Sequence, residues 1–277
     1  ELWTRQEPYQ GMNKAQIIIG VTQNTLRPAL PDDTSKQQLT VVGPEYIALM
    51  QTCWAHEPEQ RPSFAQILEQ LQSMLNVVES LEGGGSVPSD VNHVTSNANH
   101  MTELMTSPHL MTQKFRETAV SVLKNNWEID GSELEFLEEL KQSDKHMLYK
   151  GRYRGQDVCI KVLKDQHNNA QFKLFEQEFN VLAAVKGPHV TMFYGCVLRP
   201  LLCLVTEYVQ YGSLHDLMTR ATNLKFDWGV VITLATETAA AINVLHQWRP
   251  QILHRDVKAS NLLVDTHWIV KVADFGL

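Results

Sequence analysis

Four side chains late in the sequence are of the types that phosphoryl transfer requires: Asp256, Lys258, Asn261 and Asp274. That chemistry needs a carboxylate beside the acceptor hydroxyl, a cation at the transferring group, and oxygen ligands for Mg²⁺. Asp256 suits the first task, Lys258 the second, and Asn261 with Asp274 the third. The short spacing from Asp256 to Asn261 lets both side chains turn into one cleft from a single loop. A surface loop with scattered charges is the bland alternative. It would have to produce "HRDVKASN", and "DFG" beyond the strand-like "WIVKVA", by coincidence. Upstream, Lys161 closes the strand-like "VCIK" and Glu178 lies in a Phe-rich helical stretch. A strand lysine that grips phosphates and a helix glutamate that holds it form the second part of such a site. Glu176 is a rival, but the spacing from Phe175 and the following "FNVL" favour Glu178.

These residues need elements to carry them. "LEFLEEL", "MLYKGRYRG" and "DVCIKVL" are predicted strands, with a glycine-containing turn at Arg154-Gly155. "NAQFKLFEQEFNVLAAV" is predicted helical, with Phe172, Phe175, Phe179 and Leu182 on one stripe. "VTMFYGCVL" and "LLCLVTEYV" are two further strands after a break at Gly187-Pro188. "VVITLATETAAAINVLHQW" is a helix burying Val231, Leu234, Thr238, Ala241 and Leu245. Sheet first and helices after predicts an α+β fold with two lobes. Residues 1–82 are mostly helical: "EYIALMQTCW" ends at a Glu57-Pro58 turn, and a second helix follows. That helix opens with a capping box from Ser63 to Gln66 and carries Phe64, Ile67, Leu68, Leu71 and Leu75 on one face. Between them, 83–113 is rich in Gly, Ser, Thr, Asn and His and poor in aliphatics. It reads as a flexible linker, because it cannot bury enough apolar surface to offset its ordering entropy. A short amphipathic stretch completes the connection to 126.

Composition narrows the function classes. The 277 residues are 43% hydrophobic and 20% charged, as in a globular protein. A net charge of −7 with scattered Lys and Arg gives no stripe for a phosphate backbone, so nucleic acid is a poor partner. Cys53, Cys159, Cys196 and Cys203 are widely spaced, which suits reduced thiols and a cytoplasmic location. No apolar run reaches the ~18–20 residues of a membrane span. The N-terminus "ELWTRQEPYQ" has no leader-like character, and the chain reads as a piece of a longer one.

With His254-Arg255-Asp256, Lys258, Asn261 and Asp274-Phe275-Gly276 in place, residues 127–277 resemble the first part of a protein kinase domain. "WEIDGSELEFLEEL…YKGRYRGQDVCIKVLK" is similar to the tyrosine-kinase-like group, and Lys258 is the serine/threonine-type residue at its place. Residues 1–80 resemble the last quarter of such a domain, through "LWTRQEPYQGM", "LRPALP" and "CWAHEPEQRPSF". The resemblance implies ATP and Mg²⁺, a protein hydroxyl as acceptor, and a role in signalling. It places Thr206 behind an adenine pocket lined also by Leu263, with the backbone of Glu207 to Val209 on the base.

Two departures accompany it. The family's phosphate loop, Gly-x-Gly-x-x-Gly, corresponds here to "KQSDKHML", with Lys141, Ser143 and His146 at the glycine positions. Side chains there crowd a nucleotide, although Lys141 and His146 add positive charge; a pseudokinase regulatory module is the alternative reading. The other departure is order: the family's end precedes its middle. A tandem protein is the expected explanation, with 1–82 ending a first kinase domain, 83–126 connecting, and 127–277 opening a second. A circularly permuted single domain is the rival, but no "APE" string or activation segment occurs under either account. The fragment is accordingly expected to phosphorylate no protein. An unrelated helical module at 1–80 is disfavoured, because its amphipathic helices lack partners.

Overall fold

Successive side chains of a strand point to opposite faces, so "QDVCIKVL" buries Val158, Ile160 and Val162 on one face while Cys159, Lys161 and Leu163 take the other. The computed structural model describes residues 2, 7–30, 42–82, 127–165, 169–220 and 227–275. The expected linker, the amphipathic stretch before 127, and Gly276 with Leu277 lie outside the described residues. In chain order the helices are α1 (Lys14–Thr22), α2 (Gly43–Cys53), α3 (Phe64–Glu82), α4 (Asn169–Ala184), α5 (Leu214–Arg220) and α6 (Trp228–Gln247). The strands are β1 (Leu134–Gln142), β2 (His146–Tyr153), β3 (Gln156–Leu163), β4 (Phe193–Val197), β5 (Cys203–Glu207), β6 (Leu262–Val264) and β7 (Val270–Val272). The α+β expectation holds.

The chain divides into two bodies. One comprises Glu1–Asp90, Gly212–Leu253 and Val257–Val270; the other comprises Val91–Tyr211, His254–Asp256 and Lys271–Leu277. In the second body, β1–β5 form an antiparallel sheet in the order β1-β2-β3-β5-β4. The β2–β3 turn takes positive φ at both Arg154 (48°) and Gly155 (80°), the twist that matches a tight hairpin. A Cβ at Gly151 would collide with the Ile160 side chain and the Glu135 carbonyl, so glycine is required where β1 and β3 flank β2. One sheet face closes a core of Ile129, Leu134, Phe136, Tyr149, Val158, Ile160, Val162 and Val205. On α4 the expected Phe172, Phe175, Phe179 and Leu182 are all buried, and Phe179 meets Phe193 of β4 edge to face at 5.6 Å.

In the first body, α3 begins as the capping box requires. The Ser63 N–H donates to Gln66 Oε1 at 2.9 Å, and the Gln66 N–H donates to Ser63 Oγ at 3.4 Å. Ser63→Ala leaves that helix start unsatisfied, and its expected cost is about 1 kcal/mol in the urea unfolding of this body. No measurable loss would mean that the cap contributes nothing to stability.

The apolar stripe of α3 meets α6. Val42, Leu49, Leu71, Met74 and Val78 share one core with Trp228, Val231, Ile232 and Ala239, and Phe64, Ile67, Leu68 and Leu75 pack around it. Tyr46 meets Trp228 edge to face at 5.6 Å, and Phe64 meets His246 at 5.2 Å. Residues 1–82 thus share a core with the helices after Gly212, so the sequence division at 83–126 and the division into bodies do not coincide. An amphipathic helix is stable only when its stripe is covered, and α6 covers it. Of the expected inner positions on α6, Val231, Leu234, Ala241 and Leu245 are buried. Thr238 is half-buried instead and donates to the Leu234 carbonyl at 2.7 Å. By length and composition α6 could cross a membrane, but ten of its twenty residues are buried inside the protein.

Candidate active site

Lys161 stands on the β3 face opposite the sheet core, and that face brings it to α4. Its Nζ donates to Glu178 Oε1 and Oε2 at 2.9 and 2.7 Å, and to Asp274 Oδ1 at 2.7 Å. Glu178 is therefore the partner, and its rival Glu176 is not. The helical period explains why: Glu178 falls on the stripe of Phe175, Phe179 and Leu182 and is only 6% exposed. Burial disfavours the Lys161 ammonium, but Glu178 and then Asp274 outweigh it and hold the amine above its ordinary range. The group is a fixed cation, suited to pairing with phosphate oxygens.

Asp274 follows β7 with φ of 64°, a left-handed conformation that costs a non-glycine residue energy and is retained at sites that need it. Two contacts fix its neighbourhood. The Val272 N–H donates to the His189 carbonyl at 2.9 Å, and Phe275 is buried with its ring 5.2 Å from that of His254. His254 is itself a bracket: its Nδ1 accepts from the Asp256 N–H at 3.2 Å and its Nε2 faces the Ala273 carbonyl at 3.0 Å. A donor into Nδ1 leaves Nε2 to carry the ring proton. The Asp256 N–H and the carbonyl of Ala273, next to Asp274, thus meet the two sides of one imidazole, and Arg255 between His254 and Asp256 also has positive φ (66°).

Lys258 and Asn261 lie in the first body. Lys258 precedes a short helical turn, Ala259–Asn261, in which the Asn261 N–H donates to the Lys258 carbonyl at 2.9 Å. Asn261 is buried, and Lys258 lines an open hollow with Glu7, Pro8 and His215. Leu263 of β6 is half-buried and bridges to Ser213.

The expected base-contacting stretch sits at the end of β5. Thr206 pairs across the sheet with Cys159, and Val209 is buried. The Glu207 N–H donates to the Met192 carbonyl at 2.8 Å, so of the backbone groups expected on a base this one is already engaged. The Glu207 carboxylate has a function the sequence reading missed: Oε1 accepts from the Met192 N–H at 2.7 Å and from Lys271 Nζ at 2.8 Å. A lysine between two buried valines of β7 was the available signal.

The substituted glycine loop is a tight turn between β1 and β2. Ser143 closes it: its N–H donates to the His146 carbonyl at 2.9 Å, and its Oγ accepts from the N–H groups of Lys145 and His146 at 3.3 and 3.1 Å. Burial, then the charge of Lys161, push the His146 imidazole down to about 4; Lys141 and Lys145 act in the same direction and Asp274 against it. Among the described residues no three His, Cys, Asp or Glu side chains cluster as a metal cage. The carboxylate of Asp274 is a hard oxygen donor of the kind Mg²⁺ accepts when phosphates complete its shell.

Residues 1–71 and 134–277 match the family described as protein tyrosine and serine/threonine kinase. A probable serine/threonine-protein kinase of Dictyostelium discoideum is 40% identical over 58% of this chain, and the stress-activated protein kinase alpha of the same organism is 43% identical over 54%. The serine/threonine-protein kinase STY17 of Arabidopsis thaliana is 36% identical over 55%. The chain spans 7%, 23% and 27% of these relatives' own lengths. Matched over well more than half its length and carrying the bracketed Lys161, Glu178 and Asp274, the chain belongs to the protein tyrosine and serine/threonine kinase family.

Proposed function

We propose that the chain carries nucleotide-handling residues of a cytoplasmic serine/threonine protein kinase that acts in signalling. The observation that supports this most is Lys161 held between Glu178 and Asp274. Lys161 would pair with phosphate oxygens, and Asp274 would give Mg²⁺ an oxygen ligand. Asp256 would position the acceptor hydroxyl of a protein substrate, and Lys258 would neutralise charge at the transferring group. ATP with Mg²⁺ supplies the phosphoryl group when bound. Thr206 and Val209, at the end of β5, would face the base. The resemblance of 1–82 to a domain end ahead of 127–277 carries the tandem reading, in which 1–82 ends one kinase domain and 127–277 opens another. The core that α3 shares with α6 favours the rival, a permuted single domain in which 1–82 packs onto the helices after Gly212.

The second reading is a pseudokinase regulatory module, favoured by Lys141, Ser143 and His146 at the glycine positions. Calorimetry of the 277-residue chain with ATP, with and without Mg²⁺, tests both. On the kinase reading, Asp274→Asn weakens Mg²⁺-dependent ATP binding by about tenfold or more, a loss of roughly 1.4 kcal/mol. Asp256→Asn leaves affinity within about twofold, because its function is at the acceptor. A chain that binds no ATP under either condition supports the regulatory module instead.

A further inference from the structure

A loop that cradles phosphate with its backbone must leave its N–H groups free to point at the anion. The β1–β2 turn does not. The N–H groups of Ser143, Lys145 and His146 are all bonded within the turn, two of them to Ser143 Oγ, and Ser143 Oγ in turn donates to the His146 carbonyl at 3.0 Å. The register shows which side chains face the lysine of the site. Lys141 pairs with Leu148, and Leu148 pairs with Lys161, so these three stand in one row across three strands on one face of the sheet. His146 precedes Leu148 by two residues and pairs with Leu163, so it lies on the same face, diagonal to Lys161. Neighbours placed directly across strands are about 5 Å apart at Cβ and diagonal ones about 7–8 Å, within reach of long polar side chains.

We propose that this chain grips the polyphosphate of a nucleotide with the side chains of Lys141 and His146, in line with Lys161, in place of a backbone cradle. The inference rests on the kinase reading of the same site and adds the residues that make the phosphate grip. Lys141 is exposed and free to swing along the row, and His146, half-buried at its end, offers a ring N–H. The Ser143-closed turn keeps the two side chains in place, where a glycine loop would be pliant.

Titrations of the full chain with Mg²⁺·ATP, ADP, adenosine and inorganic tripolyphosphate separate the contributions. The parent is expected to bind ATP more tightly than ADP, and ADP more tightly than adenosine. Lys141→Gln is expected to weaken ATP and tripolyphosphate by about tenfold, and His146→Ala by about fivefold. Both should leave adenosine within about twofold, which also shows that the variants are folded. ATP affinity unchanged or raised in the two variants overturns the proposal, as does a parent that gains nothing from the phosphates while still binding adenosine. A parent that binds neither adenosine nor ATP removes the kinase reading together with this inference.

Discussion

Lys161→Met lowers the stability of the sheet-bearing body by about 3 kcal/mol in urea unfolding, read through hydrogen exchange of the β3 and α4 amides. The reason is the charge left behind. Glu178 is almost fully buried on α4, and removing its ammonium partner leaves a carboxylate in an apolar setting beside a second one, Asp274. Breaking a buried pair from one side costs far more than removing both members. Combining Lys161→Met with Glu178→Met should therefore recover stability to within about 1 kcal/mol of the parent. If the single and double variants are equally unstable, the pair is not the origin of the loss.

Trp228→Ala is expected to cost about 4 kcal/mol in the other body, because it empties the centre of the contact between α2, α3 and α6. A second readout is independent of global stability. Burial, with the nearby Cys53 adding to it, pushes the Tyr46 phenol up to about 12, and Tyr46 packs on the Trp228 ring. Opening that site to water should bring the phenol back toward 10, the value of an exposed tyrosine, in an ultraviolet titration. A variant whose tyrosine still titrates near 12, with unchanged unfolding, would show that Trp228 does not cover it.

The sequence made local features legible. The strand-like "VCIK" carried Lys161, and the spacing from Phe175 with the following "FNVL" picked Glu178 over Glu176. The Ser63–Gln66 cap was legible because its partners are three residues apart. Long-range pairing was not. The Glu207–Lys271 pair joins residues 64 positions apart, and no local pattern names its partners. Met74 and Val78 joined the inner face of α3 because α6 covers more of the helix than the first turns suggested. Ser143 occupies a position where the family resemblance directs attention to the missing glycine rather than to what a serine hydroxyl can bond.

The pairing of α3 with α6 has a consequence for synthesis. A ribosome releases α3 well before α6, and elements at the N-terminal end generally fold first when they can. In a single domain with this packing they cannot, because α6, which shares the core of Leu71, Met74 and Val78, has not yet been made. For that interval the nascent chain carries a bare apolar ridge, the kind of segment that holdase chaperones bind and that associates with other chains at high concentration. Slowing translation between the codons for α3 and α6 should lengthen the interval and reduce soluble yield, whereas polar substitutions outside the ridge should not.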